Sequence, residues 1–297
     1  MRIVITGATS FIGKSLVRRL SLNGHDCTLI VRPGRSHGGE ALPEGHWIEM
    51  DMSAYGHMHE YTGDVDCVVN LAWPGTRGRD RMDAAMQEAG YRYTMDVVRS
   101  YAKGGCGLIV TAGSQAEYGV RNGVIHETDE LIPNTEYGKY KAALFSDAFD
   151  ICEKRNITLI EPRFFSLYGP GDYEETMIID ILKKMLLNAR CDLTLGIQKW
   201  DYLYVDDAVE ALVLLIEGKG SSGAYNFASG DVRQLRNYID EMKQITGSRS
   251  ELNYGAIQYP ETGMVSFVAD ISKLKNTVKW EAKTSFEKGV RTVLASL

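Results

Sequence analysis

Residues 2–6, Arg-Ile-Val-Ile-Thr, form a short apolar run of the kind that makes a strand buried on both faces. A turn, Gly7-Ala8-Thr9-Ser10-Phe11-Ile12-Gly13, follows it. Ile12, Leu16, Val17 and Leu20 then recur at helical spacing until Asn23-Gly24 stops the helix. Further apolar strands are predicted at 27–31, 65–72, 107–112 and 157–162, the last closed by Pro162. Helices are predicted over about 83–103 and 136–155, and the Gly-, Pro- and polar-rich segment 32–46 reads as loop. This alternation predicts an α/β fold with a doubly wound parallel sheet of Rossmann type. Past Gly169-Pro170-Gly171 the pattern loosens: a helix at 176–189, a strand at 201–205, a helix at 206–217 and a strand at 224–228, then about 65 residues of mixed character.

Composition narrows the class. The chain has 297 residues, 44% of them hydrophobic, enough for one large α/β unit or two intimate ones. A net charge of −6 without a basic run argues against a nucleic-acid partner. The five cysteines, Cys27, Cys67, Cys106, Cys152 and Cys191, are widely spaced and lack a C-x-x-C pair, so they read as buried free thiols of a reducing compartment. The N-terminus runs straight into a strand, and no apolar stretch approaches the ~20 residues of a membrane span, so a cytoplasmic protein is expected. His57-x-His59 has no obvious third ligand, and no metal site is expected.

The candidate chemistry sits at three places. Gly7 and Gly13 bracket a turn between a strand and a helix, where backbone N–H groups and the helix N-terminus favour a dinucleotide's phosphates. Tyr137 and Lys141 are one helical turn apart and share a face. A tyrosine with an ordinary pKa of about 10 needs help to exchange a proton near neutrality, and a lysine cation favours its phenolate. Ser114 follows a predicted strand end.

The turn resembles the G-x-x-G-x-x-G of the short-chain dehydrogenase/reductase superfamily, extended branch, which includes the NAD(P)-dependent epimerase/dehydratase family; Ser10 stands at the middle glycine. Asp51-Met52 resembles the Asp-hydrophobic pair beside the adenine, and Asn70-Leu71-Ala72 the H-L-A after the fourth strand. Gly113-Ser114-Gln115-Ala116-Glu117-Tyr118-Gly119 is similar to S-S-x-x-x-Y-G. Pro162-Arg163-Phe164-Phe165-Ser166-Leu167-Tyr168-Gly169-Pro170-Gly171 is similar to R-x-x-N-x-Y-G-P-G, and Tyr204-Val205-Asp206-Asp207-Ala208 to Y-V-D-D-V/A. The resemblance covers about residues 1–230. It implies a dinucleotide-binding domain over 1–165, to which 201–225 returns, and a substrate-binding region over 166–297.

The resemblance also implies roles. Ser114, Tyr137 and Lys141 become the catalytic set: Ser114 orients the carbonyl or alcohol, Tyr137 exchanges the proton, and Lys141 holds the nicotinamide ribose. Gly7, Thr9, Ser10, Phe11, Ile12, Gly13, Asp51, Met52, Leu71, Ala72, Tyr137, Lys141, Pro162 and Phe165 would line the cofactor. The superfamily's frequent fourth member, an asparagine on the preceding helix, has no clear counterpart; Gly90 falls near its place. Tyr118 and Tyr140 read as packing residues, and His126 as a less favoured candidate for touching substrate.

Arg32, where an NAD enzyme usually offers a carboxylate, can hold a 2′-phosphate, with Arg35 and Ser36 nearby, so NADP(H) is favoured over NAD(H). The extended branch acts mainly on nucleotide-activated sugars. Trp73, Arg77, Gln115, Ser166 and Trp200 are the expected substrate contacts, although Trp200 reads more readily as packing than as a base platform and Arg77, with Arg79 and Arg81, can equally be a solvated face. Ser166 replaces the usual asparagine, and Trp200-Asp201-Tyr202 replaces R-D-F. Ser114-Gln115-Ala116 lacks the two carboxylates of the Thr-Asp-Glu that the dehydratases carry, which argues against dehydration. The expectation is therefore an NADPH-dependent 4-ketoreductase of a nucleotide-linked 4-keto-6-deoxy sugar, with a 4-epimerase next and a non-catalytic NADP(H) sensor after that. A homodimer through the helices at 83–103 and 136–155 is also expected from the resemblance.

Overall fold

The computed structural model describes residues 1–34, 46–259 and 264–297. Its main sheet contains β1 (Arg2–Thr6), β2 (Asp26–Val31), β3 (His46–Glu49), β4 (Cys67–Asn70), β5 (Leu108–Thr111), β6 (Gly113–Ser114), β7 (Thr158–Phe164) and β8 (Gly223–Phe227). The order is β8-β7-β5-β4-β1-β2-β3, with β6 resuming the pairing of β5 along β7. All these pairs are parallel. Direction of winding reverses between β1 and β4, which opens a crevice at their carboxyl ends.

Strands buried on both faces divide their side chains between two cores. Ile3, Ile5, Cys67, Val69, Leu108 and Val110 face helix α1 (Phe11–Leu22), while Val4, Val68 and Ile109 face helices α2 (Ala84–Ala102) and α3 (Glu136–Lys154). Helix α4 (Val205–Leu214) packs beside α1, and β8 joins the sheet edge directly after it. A third core combines aliphatic residues such as Ile178, Ile181, Leu182, Val290 and Val293 with a cluster of rings, Tyr168, Tyr204, Tyr238 and Phe286, against which Tyr202 packs. Among the described residues no helix is long and apolar enough to cross a membrane.

Three expectations change. Pro162 does not close its strand; β7 runs on to Phe164. The missing N–H falls between the Val110–Ile160 and Gly113–Arg163 pairs, where β5 has left the ladder and β6 has not yet joined it. His46, the last residue of the predicted loop, instead opens an edge strand, His46–Glu49, that pairs with β2 and is only partly covered. The predicted strand at 201–205 is Tyr202–Tyr204, and it pairs with Ser166–Tyr168 outside the main sheet.

Candidate active site

The turn after β1 is built for close approach. Gly7 has φ +68°, in the left-handed region that glycine tolerates, and a Cβ there would stand 2.9 Å from the Ala72 nitrogen. A Cβ on Gly13 would stand 2.1 Å from the Gly7 carbonyl oxygen. Ser10 has an extended backbone, φ −75° and ψ 169°, so it needs no glycine, and its Oγ accepts from the Gly13 N–H at 3.1 Å as the N-cap of α1. Asn70, fully buried at the end of β4, ties the strand ends together. Its Oδ1 accepts from Thr6 Oγ1 at 2.7 Å and its Nδ2 donates to Thr94 Oγ1 on α2 at 3.2 Å.

Ser114, Tyr137 and Lys141 come together beside that turn. Ser114 caps the short helix Gln115–Glu117: its Oγ accepts from Ala116 N–H, and its own N–H donates to Glu117 Oε1 at 2.7 Å. Tyr137 and Lys141 both lie buried on the inner face of α3, with the ammonium 5.7 Å from the phenol ring centroid. Lys141 Nζ donates to the Ala112 carbonyl at 2.6 Å. The neighbouring Ser114 hydroxyl favours the Tyr137 phenolate.

Burial pushes the Tyr137 phenol up, and Glu117 and Glu161 add to this; the neighbouring Ser114 hydroxyl and the Arg81 charge pull the other way. The Lys141 ammonium is held between the Ala112 carbonyl and the Trp73 ring, 3.7 Å from the ring centroid. Burial lowers Lys141 itself to about 8, against Glu117 and Glu161, which raise it.

Those carboxylates form a buried network that the sequence reading did not pick out. Arg163 Nε donates to both Glu117 Oε2 and Glu161 Oε2 at 2.9 Å, and its Nη1 donates to the Tyr118 hydroxyl at 3.0 Å. The carboxyl of Glu161 packs on Gly113, whose Cβ, if it had one, would stand 2.7 Å from Glu161 Cγ. The signal was available: a glutamate inside an apolar strand, and a glycine where the resembled motif has its first serine.

A model of the NAD dependent epimerase/dehydratase family matches residues 3–228. The chain belongs to this family. The CDP-abequose synthase of Salmonella muenchen is 25% identical to it, across 99% of this chain and 97% of the relative. The dTDP-4-dehydro-6-deoxyglucose reductase of Escherichia coli is 24% identical, with the same two coverages of 99% and 97%. Among solved structures, MoeE5 in complex with UDP-glucuronic acid and NAD superposes with a TM-score of 0.85 at 24% identity, over 100% of this chain and 98% of that one, a likeness of fold.

The turn of this epimerase/dehydratase family member fits the diphosphate of an NAD-type dinucleotide. Gly7 and Gly13 leave a cradle that side chains would fill, and Ser10 keeps a hydroxyl proton to donate. Thr9, Phe11 and Ile12 lie in the same turn and the start of α1, and Leu71 and Ala72 face Gly7 across the crevice. Asp51 caps the short helix Met52–His57, its carboxylate accepting from Ser53 N–H and Oγ–H at 2.9 and 2.6 Å. Arg32 is exposed just past β2. Beside it the Gly34 N–H donates to Glu49 Oε2 at 3.4 Å, so a carboxylate also borders this loop. Arg35 and Ser36 lie outside the described residues.

The remaining candidates separate. Gln115, Ser166 and Trp200 line one recess together with Phe165, Lys199 and Val265. Trp73 packs on Tyr137 and Lys141, its ring 6.2 Å edge-on from that of Tyr137. Arg77 lies over the Tyr173 ring at 3.1 Å and 3.6 Å from the Asp172 carboxylate, which ties the loop after β4 to the loop after Gly171. Arg81 lies over the Tyr137 ring at 4.8 Å, and its Nε is buried without a partner among the described residues. Pro162 lies within β7. Tyr118 is fully buried, donating to Asn226 Oδ1 at 2.7 Å. His126 sits at the surface, 3.7 Å from Asp270. His57 and His59 pair with Glu60 and Asp64, and among the described residues no three potential ligands gather as a metal site.

Proposed function

We propose that this protein is an NADPH-dependent reductase of a nucleotide-linked 4-keto-6-deoxy sugar. One observation carries the reading: the Ser114 hydroxyl, the Tyr137 phenol and the Lys141 ammonium meet beside the turn that fits a dinucleotide diphosphate. A reduced nicotinamide, when bound, would supply the hydride. Ser114 would orient the carbonyl oxygen, and Tyr137 would give its proton to that oxygen as charge develops there. The raised phenol pKa suits this direction, since the proton is held until the oxygen demands it. Lys141 would hold the nicotinamide ribose. Gln115 and Ala116 supply no acid–base pair for a 4,6-elimination. The recess at Gln115, Ser166 and Trp200 is assigned to the nucleotide-sugar, and Arg32 to a 2′-phosphate.

Glu49 supports a second reading. A carboxylate bordering the Arg32 loop suits the free ribose hydroxyls of NAD, the form that a 4-epimerase recycles. The test is oxidation of NADPH with CDP-, dTDP-, GDP- and UDP-linked 4-keto-6-deoxy sugars, beside Tyr137→Phe. Consumption that the variant abolishes, with an alcohol product, supports the reductase. No consumption across the panel, with bound NAD and interconversion of UDP-hexoses, replaces it by the epimerase.

A further inference from the structure

We propose that Trp73 is a positioning residue for Lys141: its indole face holds the ammonium by a cation–π contact, in the space that Gly90 leaves where the superfamily's asparagine would stand. The contact is close, with Lys141 Nζ 3.7 Å from the ring centroid. One ammonium proton goes to the Ala112 carbonyl at 2.6 Å, which fixes the side chain on its other side.

The indole is itself held firmly. Its Nε1–H donates to Gln87 Oε1 at 2.7 Å, and Gln87 Nε2 donates to the Gly75 and Asp80 carbonyls at 2.7 and 2.8 Å. Gln87 is fully buried on α2, so its amide serves chiefly to orient this ring and the loop that carries it. The room for the ring depends on residue 90. A Cβ on Gly90 would come within 2.7 Å of Trp73 Cε2 and 2.9 Å of Pro74 Cδ. Any side chain at position 90 would thus compete with the Trp73 ring for this space.

The ammonium needs this support. Facing Lys141 are Glu117 from the turn after β6 and Glu161 from β7, with Tyr137 on its own helix and Arg81 beyond the Tyr137 ring. Both carboxylates are already engaged by Arg163, and burial drives Lys141 toward the neutral amine. An aromatic face favours the charged form without adding a competing acceptor.

The consequence for catalysis rests on the reading of Lys141 as the ribose-holding residue; the contact itself is tested without turnover. The cofactor-free protein, labelled with ¹³C-lysine, is titrated by NMR, and the Lys141 signal is identified by its loss in Lys141→Met. The same titration is run with the four tryptophans replaced by fluorinated tryptophan, which weakens the ring's negative face and keeps its shape. The expected result is a Lys141 pKa that falls stepwise with fluorination, by up to about one unit, and no such fall in Trp73→Phe. An unchanged pKa, or a fall that persists in Trp73→Phe, overturns the proposal. Failure of the reductase reading would leave this titration intact and show only as absent turnover.

Discussion

On the proposed reading, cofactor choice turns on whether Arg32, in the loop after β2, or Glu49, at the end of β3 beside that loop, meets the adenosine ribose. If Arg32 takes a 2′-phosphate, Arg32→Ala removes charge-assisted hydrogen bonds and weakens NADPH binding by roughly 10- to 100-fold while barely changing NADH. Calorimetric titration with both nucleotides checks this, and equal losses for the two would refute the assignment. Gly90 allows a second prediction at this scale. Helix propensity alone makes Gly90→Ala favourable by about 1 kcal/mol. The new methyl would instead meet the rigid Trp73 ring at 2.7 Å, and overpacking of that kind costs about 1–3 kcal/mol. Gly90→Ala is therefore expected to lower Tm, and Trp73→Ala in the same chain to remove that penalty. A Tm for Gly90→Ala above the parent's would mean the ring moves aside freely.

Motifs named the right segments but could not say which way each side chain points. In Tyr204-Val205-Asp206-Asp207-Ala208, the two aspartates look equivalent in sequence. In the helix, Asp206 is exposed, while Asp207 is buried and reaches the chain's C-terminal part. Its Oδ2 accepts from the Lys283 and Thr284 N–H groups at 3.1 and 2.8 Å, and its Oδ1 from Thr284 Oγ1 at 3.2 Å. It thereby pins the segment leading into the helix Phe286–Leu294 onto α4. Asp207→Ala should destabilise by about 2–4 kcal/mol, because it leaves buried donors unpaired; Asp206→Ala should stay within about 0.5 kcal/mol. Urea midpoints distinguish them, and similar losses for both would sink the pinning role. Asp201 acts likewise, accepting from Ser229 N–H, Ser229 Oγ–H and Gly230 N–H at 2.7–2.8 Å. The Trp200-Asp201-Tyr202 departure thus kept its aspartate for structure. Strands β1, β4 and β5 were legible because burial on both faces makes unbroken apolar runs. The aromatic core around Tyr168 and Phe286 was not, because tyrosines spread over three segments carry no period.

The charge network beneath the site makes the stability of the whole molecule depend on pH. Glu117, Glu161, Arg163 and Lys141 bring two carboxylates and two cations into the protein interior. One carboxylate oxygen, Glu161 Oε1, is buried without a hydrogen-bond partner among the described residues. Burial first, and then Glu117, raise Glu161 well above its ordinary 4.5; Arg163 and Lys141 oppose that. Glu117 is raised too, again mainly by burial. A carboxyl raised on folding keeps its proton in the native state when the unfolded chain has released it. Stability from that group is therefore complete below pH 4.5 and declines as pH climbs through the native pKa, by at most about 1.4 kcal/mol per pH unit for one proton. Glutamine at position 161 cannot ionise in either state and still offers Arg163 an acceptor. Urea unfolding of Glu161→Gln should thus show a stability, relative to the parent, that rises as pH climbs above 4.5. Lys141 does not disturb this window, because its shift from 10.5 to about 8 acts only at higher pH. Parallel stability curves for the two proteins would mean that Glu161 is ionised throughout, fully neutralised by Arg163. The site would then rest on a permanent ion cluster rather than on a proton held under Lys141.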